Sequence, residues 1–463
     1  MPHTDFLVVY YSLNVALLLL VAVAFVQEYR IGSPMLFAWV TVLVIYVVPA
    51  FTDPFLEDAT VELSNRHFNL VDNPLLFRTE AFALAFSALY VTMHSSLVKL
   101  TASSNRPILP HISQLSVSTV DYLLPVLAAA SAAGTLLNVY SLFSAGAIDS
   151  LLDASFATAV FESDKLYARL AIYLFVSSSG GAIYAFMTGR RVYLLIFLVS
   201  AALYFMTSFS RTMVAYVAVP FVFLLIYRYR SVGHRMLFLS LLPLAYFSTV
   251  VLLLVRYAGS AGSFLTAVES GAFFQGFFEN LMNSGGEAQL RFVYYFFMGG
   301  DWPSDQLWVG QNYVRLLMLP IPPEYSFGLK PELLDNVIFD IFFANNPYLA
   351  GFGREAALHA LIFGDAYLGF GWAGVLMGAV WAMAAFFGVR IICARTPEIG
   401  LLMIAPMCVS AVKGARGAVF SAVAIVVASF ALLLVYMMMA RLFEQFVRRM
   451  IPIISYLATH RSE

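Results

Sequence analysis

The 463-residue sequence has little charge, few cysteines and none of several familiar hydrolase motifs. Only 11% of the residues are Asp, Glu, Lys or Arg, and 26 basic residues nearly balance 27 acidic ones. Nucleic-acid binding needs a basic surface, so this composition gives a nucleic-acid partner no electrostatic support. The two cysteines, Cys393 and Cys408, are too few for a disulfide framework or a zinc site. The sequence predicts no metal and no cofactor.

Further absences narrow the function. Walker A, His-Glu-x-x-His and Gly-x-Ser-x-Gly patterns are missing, which leaves ATP hydrolysis, zincin proteolysis and serine-hydrolase chemistry unsupported. The first apolar segment follows residues 1–5, which contain no Lys or Arg. A signal peptide begins with positive charge, so we expect this segment to remain as a spanning helix. The chain also shows no internal repeat, which counts against a secondary transporter.

Long apolar runs are what the sequence has in abundance. Hydrophobic residues make up 61% of the chain, and the mean hydropathy is +0.83. A spanning helix needs about 20 apolar residues, which predicts an all-α polytopic membrane protein with about eleven helices, within a range of roughly 10 to 13. The predicted spans are 7–26, 35–51, 78–98, 119–142, 168–188, 191–209, 212–228, 235–255, 368–390, 398–412 and 417–440.

Basic residues predict the orientation, because cytoplasmic loops collect Lys and Arg. Alternate connections carry the basic set, which we expect on the cytoplasmic side: Lys99 with Arg106, Arg190 with Arg191, Arg228 with Arg230 and Arg235, Arg390 with Arg395, and Arg441 with Arg448 and Arg449. The connections at 52–77 and 143–167 are acidic and fall on the other side. The side of the amino terminus stays open.

One long region, residues 256–359, interrupts the spans. It holds ten acids against four Arg and one Lys, so it falls on the outer side. Its many aromatic residues and prolines argue against disorder and predict a folded, partly helical cap on the outer face. The predicted organisation is therefore 1–255 for the first helices, 256–367 for the cap, 368–440 for the last helices and 441–463 for a cytoplasmic tail.

Basic residues that break this pattern are the candidate ligands. Arg211, Lys413 and Arg416 fall in short outer turns between spans, against the topological bias. With Arg291, Arg315 and Arg354 from the cap they are predicted to gather around one anionic group, because Arg matches phosphate oxygens with a planar fork. The alternative for each is a structural one, in which it reaches lipid phosphates or pairs with an acid such as Glu287 or Glu324.

A second cluster is predicted around His359. At helical spacing, Glu355 and His359 would share one face, so the carboxylate would orient the imidazole as a general base. Asp365 follows shortly after. The alternative is a histidine with a purely structural hydrogen bond at the boundary between cap and membrane.

Three stretches together resemble the bacterial oligosaccharide repeat-unit polymerases, the Wzy-type O-antigen and exopolysaccharide polymerases. They cover short motifs between about 120 and 440: residues 140–148, the turn of residues 207–212 ending in Arg211 and Thr212, and residues 359–375 with Gly364, Gly369, Gly371 and Gly374. O-antigen ligases have a similar histidine followed by spaced glycines. Here Ala360 follows His359 and the spacing differs from theirs.

The resemblance implies a GT-C-like, metal-independent glycosyltransferase in the bacterial inner membrane. It would polymerise undecaprenyl-diphosphate-linked repeat units at the periplasmic face, with a chain-length regulator protein as a further partner besides the bilayer. Periplasmic arginines are functional in that family, which implies such a role for Arg211, Arg291 and Arg354. The other hypotheses are a flippase for lipid-linked glycans, which predicts ionisable residues at mid-membrane depth, and an O-antigen ligase.

Overall fold

The computed structural model describes residues 3–56, 59–61, 66–101, 117–144, 165–208, 211–228, 266, 269–271, 288–300, 309–321, 325–343, 358–395 and 397–459. Helices dominate these residues, and one short antiparallel hairpin joins β1 (Ala59–Val61) to β2 (Arg66–Phe68). The helices are α1 (His3–Ile31), α2 (Leu36–Val42), α3 (Val48–Ala50), α4 (Leu75–Leu100), α5 (Val117–Ser144), α6 (Lys165–Thr188), α7 (Arg191–Ser208), α8 (Arg211–Arg228), α9 (Ala288–Gly299), α10 (Gln311–Leu317), α11 (Leu334–Phe343), α12 (Leu361–Phe370), α13 (Met377–Arg395), α14 (Pro397–Ala415) and α15 (Val419–Thr459).

Eight helical stretches within the described residues are long and apolar enough to cross a membrane. They make the chain a polytopic, multi-pass helical membrane protein. The stretches are Thr4–Ile31, Leu36–Phe55, Leu75–Leu100, Tyr122–Ser144, Leu170–Thr188, Leu361–Ile392, Glu398–Ala415 and Val419–Arg449.

Each of these eight stretches coincides with a predicted span. The predictions at 191–209 and 212–228 fall on α7 and α8, which are helices of 18 residues each but are not among the eight. The predicted span at 235–255 lies outside the described residues.

Two spans are not continuous α-helices. A π-helical turn, Leu43–Val47, joins α2 to α3, and a 3₁₀ segment, Gly371–Leu376, joins α12 to α13. Gly371 has a φ of +58°, a conformation that costs glycine little and that ends α12. The spacing Gly369-x-Gly371-x-x-Gly374 has the letters of a dinucleotide-binding turn, but it lies between two helices and lacks the strand that such a turn follows.

Small residues let the spanning helices approach closely. A Cβ added at Gly180 of α6 would lie 2.0 Å from the Leu402 carbonyl oxygen of α14, and one at Gly378 of α13 would lie 2.2 Å from that of Phe86 in α4. Close backbone contact increases dispersion attraction, which is a main source of helix association within lipid. These glycines therefore fix the spacing of the bundle that carries the site.

The bundle has two ends, which we call the site end and the opposite end. At the site end, α12 begins beside the turn between α14 and α15, where the Leu361 amide donates to the Arg416 carbonyl at 3.1 Å. At the opposite end, the His94 ring of α4 meets Phe386 of α13 with 5.9 Å between ring centroids. Lys99 and Arg390, two members of the predicted basic set, follow in the last turns toward this opposite end.

The long region is partly built into the bundle. Helix α9 is almost entirely buried, and its Tyr294 hydroxyl donates to the Thr79 carbonyl of α4 at 2.9 Å. The span that follows begins at Leu361 rather than at residue 368. Along α9 and α12, therefore, the region predicted as a cap packs against and continues into the spanning helices.

Candidate functional site

A histidine and an aspartate form the centre of the candidate site. His359 lies in the non-helical segment 358–360 before α12, and Asp335 lies in the first turn of α11. Nδ1 of His359 is 3.2 Å from Oδ1 of Asp335, and their side chains are 20% and 5% exposed. The Leu358 amide also donates to the Asp335 carbonyl at 3.2 Å, so Asp335 holds both the imidazole and the backbone beside it.

The carboxylate beside His359 differs from the one predicted. Glu355 lies outside the described residues, and His359 precedes the helix instead of lying on it. Leu361 has a φ of +61°, a left-handed conformation that a bulky residue rarely adopts and that marks the start of α12. The pairing of Glu355 with His359 stays a prediction, and Asp335 is the carboxylate that the structure places beside the imidazole.

Two of the predicted basic residues lie at the end of α14, near the start of α12. Lys413 is in the last turn of α14, and Arg416 is in the turn that follows. The Lys413 ammonium interacts electrostatically with both Arg416 and Asp335. Gly417, with a φ of +100°, lets this turn reach the start of α12, since a Cβ there would lie 2.8 Å from the Leu361 carbonyl oxygen.

Arg315 of α10 reaches the adjoining part of the site end. Its guanidinium lies over the Phe420 ring, 5.1 Å from the centroid, and Phe420 is in the first turn of α15, just after the Arg416 turn. Its Nη1 also donates to the Pro331 carbonyl. The cation thus binds α10 both to the chain entering α11 and to the start of α15.

Asp365 forms a second buried polar group beside this cluster. Its Oδ1 accepts a hydrogen bond from Nδ2 of Asn312 at 2.5 Å, and its Oδ2 accepts one from the Tyr313 hydroxyl at 3.0 Å. Asn312 Oδ1 in turn accepts from the Leu334 amide at 3.3 Å. Burial, with the nearby Asp365 charge, raises the pKa of Tyr313 well above its usual value, so the phenol stays a donor. This network fastens α10 and α11 to α12.

Arg291 belongs to a different cluster. Its Nη2 lies 2.9 Å from Asp53 Oδ1, and both side chains are fully buried. Asp53 Oδ2 also accepts from the Tyr295 hydroxyl at 2.5 Å, while the Tyr46 hydroxyl donates to Glu80 Oε1 at 2.8 Å. The structure therefore does not place Arg291 with the other predicted cations. Helix α9 carries Arg291 into the bundle, where it contacts the end of the second span.

The structure does not describe the side chains of the remaining predicted residues. Helix α8 begins at Arg211, but the side chain of Arg211 is outside the described part of the chain, as are Arg354 and Glu355. Of the predicted site residues, His359, Arg315, Lys413 and Arg416 are at the site end around Asp335. Within the described residues, no group of three or more His, Cys, Asp or Glu side chains is arranged to hold a metal ion.

Sequence reasoning missed Asp335, Asn312 and Tyr313. Asp335 is 4% exposed in the largely apolar helix Leu334–Phe343, and Asn312 is 2% exposed in α10. A buried polar residue in an apolar helix needs a partner, which is a signal that sequence offers. It does not name the partner, and here the partners are on helices far away in the chain.

Comparison with known proteins adds no assignment to this geometry. No family model matches the chain, and no curated protein or solved structure is significantly similar to it.

Proposed function

We propose that this protein is a membrane-embedded glycosyltransferase that polymerises undecaprenyl-diphosphate-linked oligosaccharide units at the periplasmic face of the bacterial inner membrane. The observation that supports it is the His359–Asp335 pair at the site end, where the turn that carries Lys413 and Arg416 meets the start of α12 through the bond from the Leu361 amide to the Arg416 carbonyl. The proposal includes about eleven spans in a GT-C-like arrangement, a metal-independent reaction, and a chain-length regulator as a further partner.

The pair has the geometry of a general base. The Asp335 carboxylate lies 3.2 Å from Nδ1, where its charge favours a proton on Nδ1 and leaves Nε2 as the nitrogen that accepts one. In the proposed reaction Nε2 takes the proton of an acceptor sugar hydroxyl as its oxygen attacks the anomeric carbon of the donor glycan. The Asp335 carboxylate stabilises the imidazolium that forms, which later loses its proton to water.

The cations have the chemistry that the leaving group requires. As the new glycosidic bond forms, the bond between the anomeric carbon and the diphosphate oxygen breaks, and the lipid diphosphate leaves with an added negative charge. Arg315, Lys413 and Arg416 present three positive charges at the site end against two carboxylates, Asp335 and Asp365. Charge placed where a transition state develops negative charge contributes about 3–4 kcal/mol per contact. Arg211 and Arg354 remain predicted members of the same clamp.

Substitution of the pair and of the turn cations tests the proposal. In cells whose surface polysaccharide depends on this protein, His359→Ala is expected to lower polymerisation by roughly 10²- to 10⁴-fold, and Lys413→Ala with Arg416→Ala by a similar factor. The measurement is the length distribution of surface glycan on a gel, at matched protein level. Single repeat units are the expected result.

Arg448→Ala is the matched control, because Arg448 is a cation of α15 far from the site that pairs with Glu444 at 2.7 Å and is 69% exposed. It should leave long chains unchanged. Long chains in both the His359 and the double cation variants, at normal protein level, would contradict the proposal. Long glycan that stays lipid-linked would instead indicate a ligase, and loss of all exported glycan a flippase.

One observation favours the flippase as the second candidate. Glu28 of α1 and His94 of α4 are fully buried inside spanning helices, with 3.1 Å between Oε1 and Nε2. The Tyr90 hydroxyl donates to the same oxygen at 2.6 Å. Ionisable residues within spans are functional by default, and ion-coupled carriers use such pairs. If Glu28→Gln lowers the amount of exported glycan and leaves the length of the remaining exported chains unchanged, this candidate is supported over the polymerase.

A further inference from the structure

An apolar loop projects from the candidate site. After α10 the chain runs through residues 317–321 and 325–329 before it returns to α11, and we call these two stretches the apolar tongue. Their large side chains are exposed: Leu317, Ile321, Tyr325, Phe327 and Leu329. Phe327 is 93% exposed and Leu317 is 84% exposed. Neither stretch contains a charged residue; Glu324 lies between them and Lys330 follows the second.

The base of the tongue is tied to the end of a membrane span. Arg315, just before the tongue, donates to the carbonyl of Pro331, just after it, and Gln311 Nε2 donates to the Glu332 carbonyl at 2.9 Å. The same Arg315 guanidinium lies over Phe420, the second residue of the span Val419–Arg449. The base of the tongue therefore lies beside the first turn of α15, at one end of that span.

Part of the tongue backbone is hydrogen-bonded within the chain. Lipid offers no hydrogen bonds, so inserted peptide groups must be bonded within the protein. The amides of Met318, Leu319, Ile321 and Leu329 all donate to carbonyls within α10 or the tongue, at 2.9–3.2 Å. Lys330 closes the two arms by donating from Nζ to the Ile321 carbonyl at 2.5 Å.

Phe327 is held outward by an unfavourable conformation. Its φ is +51°, and that of the following Gly328 is +77°. An aromatic residue rarely adopts a left-handed conformation, in which Gly or Asn is less costly. A phenylalanine that is in a left-handed conformation and 93% exposed gains little from packing against the described residues, whereas an apolar surface outside the chain would cover its ring.

We propose that the apolar tongue inserts into the bilayer leaflet at the site end, with Phe327 and Leu329 among the acyl chains near the headgroups. Aromatic and aliphatic residues at this depth anchor membrane proteins. Insertion would keep Arg315 and its neighbours at the depth of lipid phosphates. This inference does not depend on the proposed function, since it requires only that the helices span a bilayer.

Spin-label accessibility tests the inference on the full chain in lipid bilayers. Cys393→Ser and Cys408→Ala remove the two native cysteines, and Phe327→Cys and Leu329→Cys then place labels on the tongue in separate variants. Leu434→Cys, in the middle of the span Val419–Arg449, is the lipid reference. Arg449→Cys, at the other end of that span, is the aqueous reference.

Labels on the tongue are expected to collide readily with oxygen and poorly with a water-soluble nickel chelate. The label at Leu434 should show the same pattern, and the label at Arg449 the reverse. Nickel accessibility equal to that at Arg449 would overturn the proposal, because the tongue would then lie in water. Low accessibility to both reagents would also overturn it, since a protein partner or a second copy would then cover the tongue. Two label positions keep the test valid where one variant fails to fold, and the readout is independent of glycan synthesis.

Discussion

The Arg291–Asp53 pair and the His359–Asp335 pair form a natural comparison. Both join a basic residue to an aspartate distant in the chain, and both lie near α12, where Phe363 contacts Tyr294 beside Arg291 and Leu361 follows His359 closely. The first pair is fully enclosed, while the His359 side chain is 20% exposed. A guanidinium without access to a ligand acts as a structural tie. An imidazole with partial access can exchange a proton, so exposure rather than charge separates the two roles.

The largest expected loss of stability follows from breaking the fully buried Arg291–Asp53 pair. Asp53→Asn leaves the Arg291 charge buried without its carboxylate, and breaking a buried pair costs about 3–5 kcal/mol. We expect a strongly lowered unfolding temperature in detergent, measured by size-exclusion chromatography after heating. Replacing both residues with apolar ones, as in Asp53→Leu with Arg291→Met, should recover much of the loss. If Asp53→Asn were as stable as the native chain, the Arg291–Asp53 pair would not stabilise the fold.

A smaller effect is expected where the turn after α14 meets α12. Gly417→Ala forces a side chain into a left-handed conformation and against the Leu361 backbone, at a cost of about 1–3 kcal/mol. It should separate the Lys413 and Arg416 turn from His359, so polymer length falls without loss of any charge.

Gly388→Ala in α13 is the control for that substitution, because no atom lies within 4 Å of the added Cβ. It should be neutral or slightly stabilising, since alanine is favoured over glycine in a helix. If Gly417→Ala and Gly388→Ala changed thermal stability equally, close contact with Leu361 would not be what positions the turn.

Among the substitutions at the two pairs, the smaller loss of stability is expected at the partly exposed His359–Asp335 pair. Asp335→Asn keeps the shape and leaves His359 partly exposed to solvent, so we expect a cost of about 1 kcal/mol, well below that of Asp53→Asn. Activity should nevertheless fall, because an amide does not stabilise the imidazolium as a carboxylate does. A loss of stability matching that of Asp53→Asn would erase the distinction between the two pairs.

The sequence predicted the spans well because apolar length alone defines them. Long runs such as 7–26 and 417–440 need no tertiary information, and they coincide with spanning helices. The interruption at Gly371–Leu376 was not predicted, because the run 368–390 remains apolar across it. Its cause is the local conformation of Gly371, which hydropathy does not detect.

The cations were partly predictable from topology. Lys413 and Arg416 stood out as basic residues in a short turn between spans, and the structure brings this turn to the start of α12, where the Leu361 amide donates to the Arg416 carbonyl. The partner of Arg291 was not predictable, because Asp53 is in another span and α9 had to enter the bundle to reach it. The pairing of Glu355 with His359 stays a prediction because Glu355 lies outside the described residues, while the left-handed conformation of Leu361 is a feature that residue spacing cannot reveal.

Helix α15 has 41 residues, so at about 1.5 Å per residue it is roughly 60 Å long. The hydrocarbon core of a bilayer is about 30 Å thick, and the first turn of this rod supports the ring under Arg315. Pro452 interrupts the hydrogen bonding of the last turns of α15, so the span Val419–Arg449 is the part that serves as a lever. A tilt of about 10° of this part displaces its far end by roughly 8 Å, and a fluorophore near Arg449 would report, on one side of the bilayer, on movement of Phe420 on the other.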